Sequence, residues 1–303
     1  MSKHEEYGRQ VQLLLRIMPL IYRIEDFAVH GGTAINLFHR NMPRYSVDID
    51  ITYIPLAGRD ESLMAINQLL AELKTRIECT IPGIRVTHKP DVWKLMCLHN
   101  GVTVKIEVNG TKRGLLGGTE TKTLCQAAVN EFQLTTKCRT VSFTQLFGGK
   151  ISAALSRQHP RDLFDCKYLM EDTPFENVRD GLLFCLVGSD KPIVESIMPN
   201  NVDQRDALDK QFAGMTDVPF SYEQYEKTRS QLHQFVMDGL TTKDRQFLLS
   251  FEQGEPDWSL CAAGDLSKYP SVQWKLLNLA KLKKQNPSKL QAEVEKLREI
   301  LVK

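Results

Sequence analysis

Long apolar runs are missing from the N-terminal part of this sequence. The most apolar early stretch, Leu13 to Ile21, is broken by Arg16 and Pro19, and it follows the polar start MSKHEEYGRQ. That excludes a signal h-region or a membrane span there, so a cytoplasmic location is expected. The seven cysteines, Cys79, Cys97, Cys125, Cys138, Cys166, Cys185 and Cys261, are odd in number and never spaced as CxxC. This argues against a disulfide scaffold or structural zinc and fits a reduced protein. The net charge is only +2, so a nucleic-acid partner cannot be argued from total charge and must rest on local patches. There are no repeats, no low-complexity tract and no clear linker. What remains is an ordinary globular composition, 42% hydrophobic and 25% charged over 303 residues, enough for two domains or one with a helical half appended.

Hydrophobic periodicity organises the first half. Apolar positions at Val11, Leu14, Leu15, Met18 and Ile21 predict a helix over 5–24, and Phe27-Ala28-Val29-His30 reads as a short buried strand. Gly31-Gly32 ends that strand, and Thr33 to Arg40 looks helical up to the break at Asn41-Met42-Pro43. From Ser46 to Ile54 the pattern alternates, with Val47, Ile49 and Ile51 on one side and Ser46, Asp48, Asp50 and Thr52 on the other. A helix over 61–77 is expected next, followed by strands at 84–88, 93–99 and 102–108 with an Asn100-Gly101 hairpin. Residues 110–118 read as a glycine-rich loop. Helices are expected from Thr144, as N-cap, to about Arg157, and from Asp162 to Leu169; the rest is helical, ending in an amphipathic helix around Leu290, Val294, Leu297 and Leu301.

Chemistry concentrates in Ser46-Val47-Asp48-Ile49-Asp50, where carboxylates at i and i+2 of a strand share a face and can reach one divalent ion or a close ion pair. Glu107, on the polar face of the 102–108 strand with Thr103 and Lys105, is the candidate third acid. Asp48, Asp50 and Glu107 would then hold Mg2+ or Mn2+ for phosphoryl transfer. Gly31-Gly32-Thr33 upstream offers unobstructed backbone and amides at a helix start to a triphosphate, with the Thr33 hydroxyl as a further donor. Singly, each element also reads as a solvated strand face or a plain turn. In the order strand, Gly-Gly-Thr, short helix, Asp-x-Asp strand they are far more specific.

Those residues, His30-Gly31-Gly32-Thr33-Ala34 and Arg44-Tyr45-Ser46-Val47-Asp48-Ile49-Asp50, together with Gly149-Lys150-Ile151-Ser152-Ala153-Ala154 and Pro160-Arg161-Asp162-Leu163-Phe164-Asp165, resemble the AbiEii-type toxins of the polymerase-beta-like nucleotidyltransferase superfamily. The resemblance spans about residues 25–170. It implies an α+β fold: a nucleotidyltransferase palm with a mixed or antiparallel sheet over 1–170, then a mainly helical C-terminal lobe over 171–303. It also implies that Lys150 and Asp162 or Asp165 belong to the nucleotide site, beside Gly31, Gly32, Thr33 and Ser46. An ammonium there would bind phosphate, and a carboxylate would orient it or take a ribose hydroxyl.

The expected activity is transfer of a nucleotide from an NTP to a hydroxyl acceptor with release of pyrophosphate. The resemblance implies a growth-inhibiting toxin of a toxin-antitoxin or phage-defence (abortive infection) system, with a cognate antitoxin and an RNA acceptor, the tRNA 3′ end foremost. Alternatives are nucleotidylylation of a protein and a non-catalytic nucleotide- or partner-binding module. Phe147-Gly148-Gly149-Lys150 lacks the GxxxxGK[ST] spacing of a phosphate loop. Arg44 and Arg161 suit the triphosphate and structural ion pairs equally, and Lys112 and Arg113 sit in what reads as a solvated loop.

Overall fold

The computed structural model describes residues 2–301. Its elements run α1 (Lys3–Tyr22), β1 (Phe27–His30), α2 (Gly31–Ala34) continuing into a π-helical turn at Ile35–His39, β2 (Asp48–Tyr53), α3 (Arg59–Thr80), β3 (Arg85–Lys89), β4 (Lys94–His99), β5 (Val102–Asn109), β6 (Thr119–Thr123), α4 (Gln126–Phe132) and β7 (Lys137–Val141). Among the described residues nine α-helices follow, besides short π- and 3-10-helical turns at Leu208–Phe212 and Trp258–Leu260: α5 (Phe143–Arg157), α6 (Pro160–Asp172), α7 (Glu176–Val187), α8 (Ile193–Ile197), α9 (Arg205–Ala207), α10 (Tyr222–Gly239), α11 (Thr242–Glu252), α12 (Pro270–Gln285) and α13 (Pro287–Leu301). The fold is α+β, as expected.

Contacts divide the chain into two compact units. The first holds the residues up to Ser142 together with Asp209–Pro219; the second holds Phe143–Leu208 and the chain from Phe220 onward. This is not the expected division near residue 170. Its cause is a close helix crossing: a Cβ on Gly148 would lie 2.2 Å from the Leu182 amide nitrogen, and one on Gly181 would lie 1.8 Å from the Thr144 carbonyl oxygen. Helices α5 and α7 approach so closely that α5 belongs with the helices after it. The glycines of Phe147-Gly148-Gly149-Lys150 therefore serve packing within a helix.

The first unit is a seven-stranded mixed sheet in the order β3-β4-β5-β2-β1-β7-β6. Strands β1 and β2 pair antiparallel, while β2–β5 and β1–β7 pair parallel. Helix α1 presents Val11, Leu14, Leu15, Ile17, Met18 and Ile21, all at most 2% exposed, and packs with β5 and α3. Strand β5 buries Val102, Val104, Ile106 and Val108 and leaves Thr103, Lys105, Glu107 and Asn109 partly exposed. Such one-sided burial fixes the register, because a slip of one residue would turn every charge into the core. The returning segment is tied down by Met215, whose carbonyl accepts from the Tyr45 amide at 2.7 Å.

The regular elements of the second unit, among the described residues, are all helices. Its core includes Phe147, Phe164, Leu182, Tyr225, Phe247 and Phe251, none more than 0% exposed. Among the described residues no helix is long and apolar enough to cross a membrane.

Candidate active site

The first strand ends at a turn only glycine fits. Gly31 has φ +73°, and a Cβ there would meet Asp50 Oδ2 at 2.6 Å; a Cβ on Gly32 would lie 2.7 Å from Ser46 Oγ and 2.9 Å from an Arg44 guanidinium nitrogen. The bare backbone is thus pressed against Asp50, Ser46 and Arg44. Thr33 is 1% exposed. Its hydroxyl donates to the Asp48 carbonyl oxygen at 2.5 Å, and its Oγ1 lies 3.1 Å from the Ser46 hydroxyl. That corrects the expectation of a donor offered to a triphosphate: Thr33 fastens the turn to β2. Arg44, 3% exposed, donates to the Tyr45 carbonyl at 2.7 Å beneath the same turn.

Asp48 and Asp50 are partly exposed on β2 and Ile49 is buried between them, as the alternation predicts. The register sets their neighbours. Asp48 pairs with Lys105 and Asp50 with Glu107 across β2–β5; Lys94 pairs with Glu107 across β4–β5, and His30 with Asp50 across β1–β2. Laterally paired residues share a face. One sheet face therefore carries the row Lys94, Glu107, Asp50, His30 beside the pair Lys105, Asp48.

Glu107 sits beside Asp50, but its carboxylate is engaged. Lys94 Nζ lies 3.1 Å from Oε1 and Lys105 Nζ 3.0 Å from Oε2, with all three side chains 30–33% exposed. Burial pushes the Glu107 carboxyl up, but hydrogen bonds from Lys105 and Lys94 outweigh it and hold the group below the usual carboxylate range. Burial likewise works against the Lys105 charge; Asp48, the bond to Glu107 and Asp50 prevail and raise its pKa. Among the described residues no three His, Cys, Asp or Glu side chains are grouped to hold a metal ion. The expected Asp48–Asp50–Glu107 ligand set is accordingly not assembled in this arrangement. Two of its members fit a hard divalent cation by donor chemistry and shared face. The third is bound by ammonium groups.

The remaining expected site residues lie in the second unit. Lys150 Nζ is 2.9 Å from Asp162 Oδ1 and 3.0 Å from Asp165 Oδ2, with side-chain exposures of 6%, 6% and 0%. The more exposed Arg157 donates to Asp162 Oδ2 at 2.8 Å. Proline at the start of α6 places Asp162 in its first turn, and the cap is His159, whose ring accepts from the Arg161 amide. Asp162 and Asp165, one turn apart, both close on Lys150. The ammonium is thus buried and paired with both acids, the residues that the family resemblance places together at the nucleotide site.

Sequence reasoning gave no role to Lys94, Lys105 or Arg157. A usable signal existed for Lys94. A two-residue turn at Asn100-Gly101 pairs residues equidistant from it, His99 with Val102 and hence Lys94 with Glu107.

Comparison with solved structures identifies the class of fold. The chain is similar to MenT4, a nucleotidyltransferase toxin from Mycobacterium tuberculosis H37Rv, with a TM-score of 0.62 and 15% identity, over 92% of this chain and 95% of that one. Comparison with curated proteins gives no match. The family described as "Nucleotidyl transferase AbiEii toxin, Type IV TA system" matches residues 12–277, and the chain belongs to that family. It is a nucleotidyltransferase toxin of a type IV toxin-antitoxin system, with an NTP as substrate and an antitoxin as partner.

Proposed function

We propose that this toxin uses Mg2+ or Mn2+ to transfer a nucleoside monophosphate from an NTP to the 3′ hydroxyl of an RNA, the acceptor end of tRNA, with release of pyrophosphate. The observation that carries the reading is the contact of the Gly31-Gly32 turn with Asp50, on the strand face where Asp50 and Asp48 stand two residues apart. A divalent cation bound there would neutralise charge developing on the transferred phosphoryl group and its leaving pyrophosphate. Asp48 and Asp50 would hold that cation. Gly31 and Gly32 let the turn close directly on Asp50, Ser46 and Arg44, which brings its backbone beside the carboxylates. Glu107 would complete the site once its lysines release it. Lys150, Asp162 and Asp165 are assigned a positioning role, fixing α5 against α6. The tRNA acceptor follows from family resemblance and the hydroxyl chemistry.

Incubating the protein with each α-labelled NTP, Mg2+ or Mn2+, total RNA and cell protein tests this directly. Label is expected on RNA in the tRNA size range, and Asp48→Ala and Asp50→Ala are expected to remove it by at least about a hundredfold with unchanged melting. Label on protein instead would replace the acceptor. No transfer by the wild type, or equal transfer by Asp48→Ala, would sink the reading.

A further inference from the structure

The sheet face carries two kinds of charge that the transfer reaction does not obviously need together. Three acids, Asp48, Asp50 and Glu107, stand beside two ammonium groups, Lys94 and Lys105, and both ammonium groups close on the one acid that the other two would need as a third ligand. Each oxygen of Glu107 has its own lysine, at 3.1 Å and 3.0 Å. With all three side chains about one-third exposed, these pairs are of the screened kind that exchange partners at little cost. Asp50 is the lateral neighbour of Glu107, so the same carboxylate stands beside the β2 face at which a cation would bind.

We propose that Lys94 and Lys105 are positioning residues that latch Glu107: they compete with a divalent cation for its carboxylate, so metal loading at Asp48 and Asp50 and release of the two ammonium groups are one coupled event. The inference rests on the reading that Asp48 and Asp50 hold the cation. Release leaves Lys105 beside Asp48, where its ammonium is free to meet an anionic substrate. The latch also keeps three like charges from standing uncompensated on one face before the cation arrives.

The test measures Mn2+ binding to the full-length protein without nucleotide, by electron paramagnetic resonance of free Mn2+. Lys94→Met and Lys105→Met are each expected to tighten Mn2+ binding about fivefold, which converts to ~1 kcal/mol. Lys94→Arg, which can still grip Glu107, should stay within about twofold of wild type. In a Glu107→Gln background the tightening should vanish, because the competed carboxylate is gone. Tightening of equal size in that background would show a general field acting on Asp48 and Asp50 and would overturn the latch, as would no tightening with either lysine. Glu107→Gln and Lys94→Met should melt like wild type, which separates the effect from misfolding. Failure of the underlying metal reading looks different: Asp48→Asn would then leave Mn2+ binding unchanged.

Discussion

The two units carry charge triads of opposite composition, the helical one extended by the more exposed Arg157. On the sheet, one acid is shared by two lysines, Lys94–Glu107–Lys105, about one-third exposed; among the helices one lysine is shared by two acids, Asp162–Lys150–Asp165, at most 6% exposed. Burial decides what each can do. Water competes for every member of the first cluster, so its bonds are individually weak and open to exchange with a cation or an anionic ligand. The second is buried, and loss of Lys150 strands Asp165 in a poor solvent for charge while Asp162 keeps Arg157. Hence the sheet cluster suits a step in the reaction, and the helical cluster suits holding α5 and α6 in place.

The comparison breaks most readily at Lys150. Lys150→Met should destabilise the protein by about 3 kcal/mol, because Asp165 is left buried with its ammonium partner removed. A urea unfolding midpoint at neutral pH reads this, and activity should fall in proportion to folded protein. A loss below about 1 kcal/mol with activity abolished would instead return Lys150 to direct contact with the nucleotide, as the sequence suggested.

Much of this contrast was invisible in the sequence, for identifiable reasons. Alternation of apolar and polar residues revealed the Asp48–Asp50 face and the polar face of β5, because one-sided burial writes a period of two into a strand. It could not reveal β6, Thr119-Glu120-Thr121-Lys122-Thr123, whose residues are exposed or half-exposed on both faces and leave no apolar trace. Glu107 was placed on the correct strand, but its partners depend on cross-strand register, which local pattern does not contain. Lys150, Asp162 and Asp165 were found by motif; their burial depends on tertiary packing. Thr33 was read as a donor because its hydroxyl was counted before its acceptor, the Asp48 carbonyl, was known. The boundary was missed because Gly148 and Gly181 meet only in three dimensions.

Burial should govern titratable groups within the first unit as well, and His39 checks this. Burial, and next the charge of Lys122, lower its pKa from 6.5 to about 4, while its Nε2 sits 3.0 Å from Thr140 Oγ1. The folded chain therefore refuses a proton that the unfolded chain accepts once the pH drops below 6.5. Stability is complete above that value and declines as the pH falls toward about 4, by about 2 kcal/mol after allowing for partial exposure. His39→Gln should flatten the unfolding free energy between pH 6.5 and 4.5, measured by urea titration at each pH. An unchanged slope would detach His39 from the acid loss.

The smallest effect belongs to the exposed cluster and completes the contrast. Lys94→Met, Lys105→Met and Glu107→Gln should each change stability by less than about 1 kcal/mol near neutral pH, since each breaks pairs that water already screens. The lowered Glu107 pKa fixes the sign of any acid dependence. Its contribution is present above the unfolded carboxyl pKa and is lost as the pH falls through the folded one, so the three variants and wild type should converge in acid. Thermal melts of the four proteins at pH 7.5 and in a series of buffers descending below pH 4.5 read this difference. A loss at pH 7.5 matching that of Lys150→Met would mean that the sheet cluster holds the fold, and the division of labour between the two triads would fail.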